Sequence, residues 1–397
     1  LAYGRSLAVT GAKAYHPDDV IQFTEGAKGA IVVERSLHDG FMADFGISKE
    51  QFENTPLSLA CHHYVSFLQA TAWSETFPVV LAALLPGISV YAWLIGPVIL
   101  VQVAIATFAS LLAEAFMLKL LNKPLGLFLG DGSAIVTGWL IALAFPPLAP
   151  WWLVVVGCLF AIIVAKHLYG GLGQNPFNPA MIAFAVCIVS FPALMSQWPP
   201  VDLKASFGDQ LALVIGIAPR LDAMSGATPL DALKTALKLG EGSATVSSVM
   251  SNVGTFGHFA GRGWEWVGAA YLLGGLWLWQ RKIISWHAPL GFLAGIALIA
   301  SALWAWNPEQ FANPLFHLLS GGSMLGAFFI VTDPVSGCTT PKGKLIFGLS
   351  AGLLAYIIRV FGGYPDGVAF AVLLMNICVP LIDLYTQPAI FGMKGKV

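Results

Sequence analysis

Ten apolar stretches after residue 75 constrain this chain more than any other feature of its sequence. Each is close to the 20 or so residues that a helix needs to cross the hydrocarbon core of a bilayer. Because that core offers no water to backbone groups, spans of this kind form helices. The sequence therefore predicts an all-α polytopic membrane protein with about ten transmembrane helices. The stretches are approximately 76–94, 97–118, 131–148, 151–169, 178–196, 264–280, 283–305, 315–332, 344–361 and 367–385.

The composition excludes several other classes of protein. Hydrophobic residues make up 57% of the chain and charged residues 10%, whereas soluble domains carry about a quarter charged residues. The net charge of -1 and the lack of a Lys/Arg cluster exclude a generic nucleic-acid binder. No cysteine pair has a ligand spacing, and the adjacent His62 and His63 lack a third ligand, so we predict packed thiols and no metal site. The cysteines are Cys61, Cys158, Cys187, Cys338 and Cys378.

The first 73 residues differ in character from the rest, with eight acids and five bases. Asp18 and Asp19 precede Ile21 as a possible helix cap, and Ser48 stands three residues before Gln51, the spacing of a capping box. These patterns predict two or three amphipathic helices. The sequence starts at Leu1 without a cleavable-signal pattern, so we expect a truncated, processed or fused front segment.

Basic residues between the apolar stretches set the orientation. With ten spans, all of them lie on the same side of the membrane as the N-terminus. The positive-inside rule makes that side cytoplasmic, and both termini are therefore predicted to lie in the cytoplasm. These residues are Lys119, Lys123, Lys166, Arg281, Lys282, Lys342, Lys344, Lys394 and Lys396. The predicted domains are a cytoplasmic helical segment (1–74), a first transmembrane repeat (75–196), an extracytoplasmic loop (197–263), a second transmembrane repeat (264–386) and a cytoplasmic tail (387–397).

A faint duplication relates the two predicted repeats. Lys166 is followed by Gly170-Gly171 and then by Ala-Phe-Ala-Val, and Arg359 is followed by Gly362-Gly363 and then by the same four residues. Because each half holds five spans, the halves must be inverted relative to each other, as in many transport folds. The glycine pairs predict helix breaks that line a pathway or cofactor wall, or else close helix packing.

Charged residues within the spans are costly and are therefore candidates for function. Glu114 lies late in the second span and is the deepest carboxylate, which makes it the candidate for the ion pathway. The alternative for each such carboxylate is an interfacial position or pairing with a buried cation, for which Lys166 and Arg359 are available.

The outer loop contains Ser225-Gly226-Ala227-Thr228 directly before Pro229. Small residues leave the backbone open to a bulky group, and Pro229 suits the first position of a helix. A helix N-terminus favours phosphate, but a serine or threonine before proline is more often a simple helix cap. The residues alone leave both interpretations open.

The N-terminal segment resembles part of the TenA (thiaminase II) helical family. The resemblance is carried by Glu34-Arg35-Ser36-Leu37-His38-Asp39, by Thr55 to Cys61 and by Leu81-Ala82-Ala83-Leu84-Leu85-Pro86. The front half of that family's pattern is missing. The catalytic cysteine of the family follows the Leu-Leu-Pro stretch, where this chain has Gly87, so the resemblance implies a segment without thiaminase activity.

Residues from about 76 to 397 resemble the family of Rnf D subunits and the related B subunits of sodium-pumping NADH:quinone oxidoreductases. The matching stretches run through Leu148 to Trp152, Ala165 to Met181, Gly326 to Pro334 and Phe361 to Leu374. In that family the last residue of a Ser/Thr-Gly-Ala-Thr tetrapeptide carries FMN through a phosphoester. The resemblance therefore implies covalent FMN on Thr228, with Ser225, Gly226 and Ala227 as neighbouring cofactor-binding residues.

The resemblance further implies a component of an electron-transfer-driven ion pump in the bacterial inner membrane, with residues 197–263 in the periplasm. Electrons would pass between ferredoxin and NAD through the A, B, C, E and G subunits of an Rnf complex as partners, coupled to Na⁺ or H⁺ translocation. A flavin transferase would attach the FMN, and a second, non-covalent flavin such as riboflavin is allowed. This chain would have no catalytic residue of its own. The alternatives are a secondary transporter or channel without a redox cofactor, and a soluble thiamin-related enzyme.

Overall fold

The computed structural model describes residues 20–24, 30–34, 57–201, 203, 205–219, 226–240, 244–252, 254–364 and 366–387, with side chains from residue 74 onward except for Asn252. Most of these residues are helical. Their contacts divide the chain into two units. One consists of residues 1–76 and 115–132, and the other of residues 77–114 and 133–397.

The first unit contains a β-hairpin that was not predicted from the sequence. Strand β1 (Val20–Thr24) pairs antiparallel with β2 (Ala30–Glu34), so that Val20 lies opposite Glu34 and Phe23 opposite Ile31. The prediction of a helix capped by Asp18 and Asp19 before Ile21 is therefore wrong. β-Branched residues in Val-Ile-Gln-Phe-Thr and Ala-Ile-Val-Val-Glu favour strands, and glycines occur between them in the sequence. The predicted capping box at Ser48 lies outside the described residues.

In the part of the chain that the structure describes, seven helices precede the outer loop. The fourth span ends in a π-helix, π1 (Phe160–His167), which continues α5 directly. The helices are α1 (Leu57–Leu94), α2 (Val98–Leu120), α3 (Leu125–Gly130), α4 (Ser133–Ala144), α5 (Trp151–Leu159), α6 (Pro179–Ser190) and α7 (Pro192–Met195). Gly170 and Gly171 follow π1 with positive φ angles of 114° and 100°, so the predicted break at this glycine pair is confirmed.

The outer loop holds three short helices, α8 (Phe207–Ile215), α9 (Pro229–Leu239) and α10 (Val246–Asn252). Ser206 and Asp209 form a capping box at the start of α8, and Gly216 ends it in the left-handed conformation. Helix α9 begins at Pro229, where the sequence predicts a first-turn proline.

The second half resumes with α11 and ends with two long helices. Its helices are α11 (Trp264–Gln280), α12 (His287–Trp306), α13 (Pro314–Leu319), α14 (Ser323–Leu325), α15 (Pro341–Phe361) and α16 (Val368–Thr386), and π2 (Gly326–Ile330) continues α14. The continuous eighth span expected over 315–332 is wrong, because the helix is interrupted at Gly321, whose φ is +61°.

Among the described residues, five helical segments are long and apolar enough to cross a membrane, which supports a multi-pass membrane protein. They are Ser74–Leu94, Val98–Leu120, His287–Trp306, Pro341–Phe361 and Val368–Thr386. The other predicted spans correspond to shorter helices, so the count of ten stays a prediction. Helix α2 has one apolar face suited to lipid: Phe108, Leu112 and Phe116 are each more than half exposed, whereas Ser110 and Glu114 are buried.

Close packing between long helices relies on glycine. A Cβ on Gly295 of α12 would collide with the Leu349 carbonyl of α15, and a Cβ on Gly352 would collide with the Phe292 carbonyl. The two backbones therefore touch along small residues, as is common between membrane helices.

Candidate functional site

The loop tetrapeptide lies at the start of α9. Thr228 is its N-cap, with its Oγ1 accepting a hydrogen bond from the Asp231 N–H at 3.2 Å. The Gly226 N–H donates to the Trp198 carbonyl at 2.6 Å, which fixes the loop just before the helix. Ala227 is exposed and Thr228 is half-buried. The interpretation of Thr228 as a helix cap is thus confirmed, and its side chain is only partly covered; Ser225 lies outside the described residues.

A large cavity opens beside Thr228. Its volume is about 1050 Å³, and Thr228, Pro229 and Leu230 form one side of it. The other walls come from several distant segments of the chain and are largely apolar, with many aromatic and thioether side chains. They include Tyr91, Phe184, Trp198, Trp264, Tyr271 and Met324. Such walls suit a planar, largely apolar ring system.

The aromatic walls are held against one another. The rings of Tyr91 and Trp264 have centroids 5.5 Å apart, and those of Trp198 and Trp264 are 5.6 Å apart. Tyr91 is 2% exposed, and its hydroxyl has no hydrogen-bond partner among the described residues. A buried hydroxyl without a partner is costly, so a polar atom of a bound group is expected to meet it.

A second, smaller hollow lies on the other side of Thr228. It measures about 380 Å³ and is lined by Ala227, Thr228, Thr255 and Arg262, together with Trp198 and Trp264. Arg262 is the cationic side chain of this crevice. Guanidinium groups are well suited to phosphate because they donate two parallel hydrogen bonds. Thr228 therefore stands between an aromatic cavity and a cationic crevice.

Asp366 contributes a carboxylate to the wall of the large cavity. Its Oδ1 accepts from Arg359 Nη2 at 2.9 Å, and its Oδ2 accepts from the Gly322 N–H at 2.7 Å. Arg359 is itself buried and donates further to the His317 carbonyl and to Ser323 Oγ. Asp366 thus pairs with a buried guanidinium and also accepts hydrogen bonds from backbone N–H groups.

Glu114 lies away from this cavity in a compact buried cluster. Lys166 Nζ is 2.9 Å from Glu114 Oε2 and 2.8 Å from Ser133 Oγ, and His167 Nε2 is 3.0 Å from Glu114 Oε1. The side chains of Glu114, Lys166 and His167 are each 2% exposed. The predicted use of Lys166 and Arg359 as buried counter-ions is confirmed. His167 was not anticipated; the π-helix lets the consecutive residues Lys166 and His167 both reach Glu114.

Two further carboxylates near helix ends, Asp333 and Asp383, bond to polar neighbours. Asp333 accepts from Ser336 Oγ and Asn178 Nδ2, and Asp383 accepts from the backbone N–H and the hydroxyl of Thr339. In the part of the chain that the structure describes, no three His, Cys, Asp or Glu side chains gather as metal ligands.

Most walls of the large cavity were not predicted from the sequence. Trp264 lines the cavity, whereas Trp266, two residues further along α11, is 63% exposed. The one sequence signal for these walls is that Trp198 and Trp264 stand at the two ends of the outer loop, where they could line a shared site. Tyr91 comes from the first span, and no local pattern connects it to Thr228.

Comparison with known proteins gives two matches along the chain. Residues 66–392 match the NQR2, RnfD, RnfE family, and residues 1–95 match the TENA/THI-4/PQQC family. A Pseudomonas aeruginosa protein, named as the D component of an ion-translocating oxidoreductase complex, is 52% identical over 318 residues, which cover 79% of this chain and 90% of the relative. Proteins of the same name from Escherichia fergusonii and Escherichia coli are 50% and 51% identical over 340 residues, which cover 81% of this chain and 95% of each relative.

Proposed function

Because this chain belongs to the NQR2, RnfD, RnfE family, we propose that it is the membrane subunit of an Rnf-type ion pump and carries FMN on Thr228. As its relatives' name indicates, it is one component of an ion-translocating oxidoreductase complex and does not act alone. The observation that carries the flavin proposal is the position of Thr228 at the meeting point of an aromatic cavity and a cationic crevice.

The two hollows are suited to different parts of the cofactor. The aromatic cavity, with the unpartnered Tyr91 hydroxyl, accepts the isoalloxazine ring, and the crevice with Arg262 accepts the phosphate. Asp366 and Arg359 set a fixed charge at the edge of the ring site. When bound, the flavin supplies the redox chemistry, while the protein sets its position and potential.

Attachment uses the Thr228 hydroxyl as a nucleophile. A bond forms between Oγ1 and the flavin phosphorus, the pyrophosphate P–O bond of a flavin–nucleotide donor breaks, and the nucleoside monophosphate leaves. The hydroxyl proton passes to a base on an external flavin transferase, which also supplies the metal. The loop helps by presenting Thr228 next to exposed Ala227, where a transferase has access.

The buried Glu114 cluster is the proposed station on the ion path. A carboxylate at this depth is costly, and functional groups are the usual reason for retaining one. Glu114 contacts Lys166 and His167, and displacement of these two side chains would free its oxygens for a coupled Na⁺ or H⁺.

Partner proteins complete the electron path. Electrons pass between ferredoxin and NAD through the A, B, C, E and G subunits of the complex, and a second, non-covalent flavin shares the route. The complex lies in the bacterial inner membrane, with both termini of this chain in the cytoplasm and residues 197–263 in the periplasm.

The test is flavin fluorescence of the denatured, washed polypeptide after production with the flavin transferase. We expect fluorescence that stays with the wild-type chain and is lost in Thr228→Ala. Thr235→Ala is the matched control, because Thr235 is exposed on the same helix α9. A wild-type chain without flavin would support a secondary transporter or channel instead and overturn this proposal.

A further inference from the structure

A third hollow, the basic groove, lies on the opposite side of α9 from the flavin cavity. It measures about 730 Å³ and runs between α9, the loop after α12 and the end of α15. Leu230 lines both the basic groove and the flavin cavity, so the first turn of α9 separates them. The function proposed above makes no use of the basic groove.

The groove has cationic residues but no acidic ones among the described residues that line it. Lys234, Lys238 and Arg359 all contribute to its walls. Arg359 is paired with Asp366, and Lys234 donates its three N–H groups to the carbonyls of Arg359, Gly362 and Tyr364. Lys238 is exposed one helical turn further along α9. An anion in the groove would therefore meet the ammonium group of Lys238 directly, with Lys234 beside it.

The charge of Lys238 acts on the pKa of Lys234. Burial lowers the pKa of Lys234, and the nearby Lys238 lowers it further, against the opposite effect of Asp231. A bound anion would relieve this repulsion. The geometry of the groove and the pKa of Lys234 therefore point to the same kind of ligand.

Two buried polar atoms line the groove without a partner. The Tyr356 hydroxyl and His317 Nδ1 have no hydrogen-bond partner among the described residues, although Tyr356 is fully buried and His317 is 4% exposed. Their rings pack edge to face with centroids 4.7 Å apart. Buried polar atoms of this kind are normally satisfied, so a polar group of a ligand is expected to reach them.

Apart from Gln310, the remaining walls are apolar, and one of them lies at the end of a candidate span. Leu237, Phe311 and Phe361 line the groove, and Phe361, the last residue of α15, is 58% exposed. Trp306 ends α12, is 75% exposed and packs near Phe311. Aromatic residues at span ends are typical of the membrane interface, where lipid headgroups lie.

We propose that the basic groove binds an anionic phospholipid, with its phosphate at Lys238 beside Lys234 and its acyl chains along Leu237, Phe311 and Phe361. The Tyr356 hydroxyl and His317 Nδ1 then meet polar atoms of the headgroup. Anionic lipid is selected over zwitterionic lipid because the groove carries an excess of positive charge.

The experiment measures lipid retained by the purified full chain. The protein is washed extensively in mild detergent, incubated with equal amounts of phosphatidylglycerol and phosphatidylcholine, and analysed by mass spectrometry of the bound lipid. We expect phosphatidylglycerol to be retained preferentially. In Lys238→Gln its apparent affinity should fall about fivefold, the factor that corresponds to about 1 kcal/mol per cation at a lipid surface.

Matched variants keep the proposal falsifiable. Lys342→Gln removes an exposed lysine at the opposite end of α15 and should leave retention unchanged. Tyr356→Phe removes only the hydroxyl and should weaken phosphatidylglycerol binding while the chain stays folded. Equal retention in Lys238→Gln and Lys342→Gln would overturn the proposal.

Two further measurements distinguish a bound lipid from other occupants of the groove. Inorganic phosphate is added as a competitor, and we expect it to leave lipid retention unchanged; complete displacement would identify a soluble anion and overturn the lipid assignment. The assembled complex is analysed in the same way. Loss of the bound phosphatidylglycerol on assembly would place a protein partner in the groove and also overturn the proposal.

Discussion

Two buried cations, Lys166 and Arg359, occupy similar places in the two halves of the chain. Each lies at the end of a helix shortly before a glycine pair. Each also donates to the serine that begins another helix, Lys166 to Ser133 and Arg359 to Ser323. This shared geometry is what the duplication in the sequence would produce.

The partners of the two cations differ, and the difference separates their roles. Lys166 faces Glu114 and His167, and all three side chains are buried. Arg359 faces Asp366, whose side chain is 22% exposed and which also accepts backbone hydrogen bonds. This second pair lies at the wall of the cavity beside Thr228. The proposal of an ion path therefore rests on the first cluster, which is the fully buried one.

The largest expected effect comes from breaking the Glu114 cluster. Lys166→Met leaves the Glu114 carboxylate buried with only His167, and we expect the free energy of unfolding to fall by about 3–5 kcal/mol. A denaturing-detergent titration measures it. Lys342→Met, at an exposed position, is the control, and the double variant Lys166→Met with Glu114→Gln should recover much of the loss. If the single variant were as stable as its control, the buried pair would have no structural role.

The next effect is expected at the second cation. Arg359→Lys keeps the charge but cannot reproduce the bonds to Asp366, His317 and Ser323 together. Loss of one charged hydrogen bond lowers the free energy of unfolding by about 1.5–3 kcal/mol. The same titration applies, and ion translocation by the folded variant should persist. A variant that is stable but fails to move ions would contradict the division of roles.

A smaller effect is expected on the flavin itself. Asp366→Asn removes a negative charge from the cavity wall and should raise the midpoint potential of the Thr228-linked flavin, because reduction adds negative charge there. A shift of about 30 mV, or about 1.4 kcal/mol for a two-electron couple, is expected. Spectroelectrochemical titration measures it, with Asp383→Asn as control because Asp383 does not line the cavity. A potential that stays constant would remove Asp366 from the cofactor's surroundings.

The smallest effect concerns the cap of α9. Thr228→Ala removes the acceptor for the Asp231 N–H and should lower the free energy of unfolding by about 1 kcal/mol, even in chains made without flavin. Thr228→Ser retains a hydroxyl cap and should cost less. Unfolding of the flavin-free chains gives both values, and a loss of several kcal/mol would mean that flavin loss in Thr228→Ala reflects misfolding.

Much of the helical framework could be predicted from the sequence, because long apolar stretches have few alternatives. Helices α2, α15 and α16 begin and end within a few residues of their predicted bounds. The pairing of buried cations with carboxylates also followed from the cost of burying charge. The β-hairpin was not predicted. The spacing of Asp18 and Asp19 before Ile21 is typical of a helix cap, but the β-branched residues that follow form the strands β1 and β2.

The cavity beside Thr228 could be predicted from the sequence only at Thr228 itself. Its other walls, such as Tyr91, Trp264 and Asp366, are separated by more than a hundred residues and meet only through tertiary packing. Sequence patterns within one segment do not reveal tertiary contacts between distant segments. The helix interruption at Gly321 could not be predicted for the same reason. Gly321 packs close to the side chain of Asp366, which is distant in the sequence.

The mass of the peptide that contains Thr228, taken from protein matured together with its flavin transferase, tests the central claim most directly. We predict a peptide heavier by one phosphoester-linked FMN, with fragment ions that place the addition on Thr228. An unmodified Thr228 in that material would contradict the assignment of this chain as a flavin-bearing electron carrier.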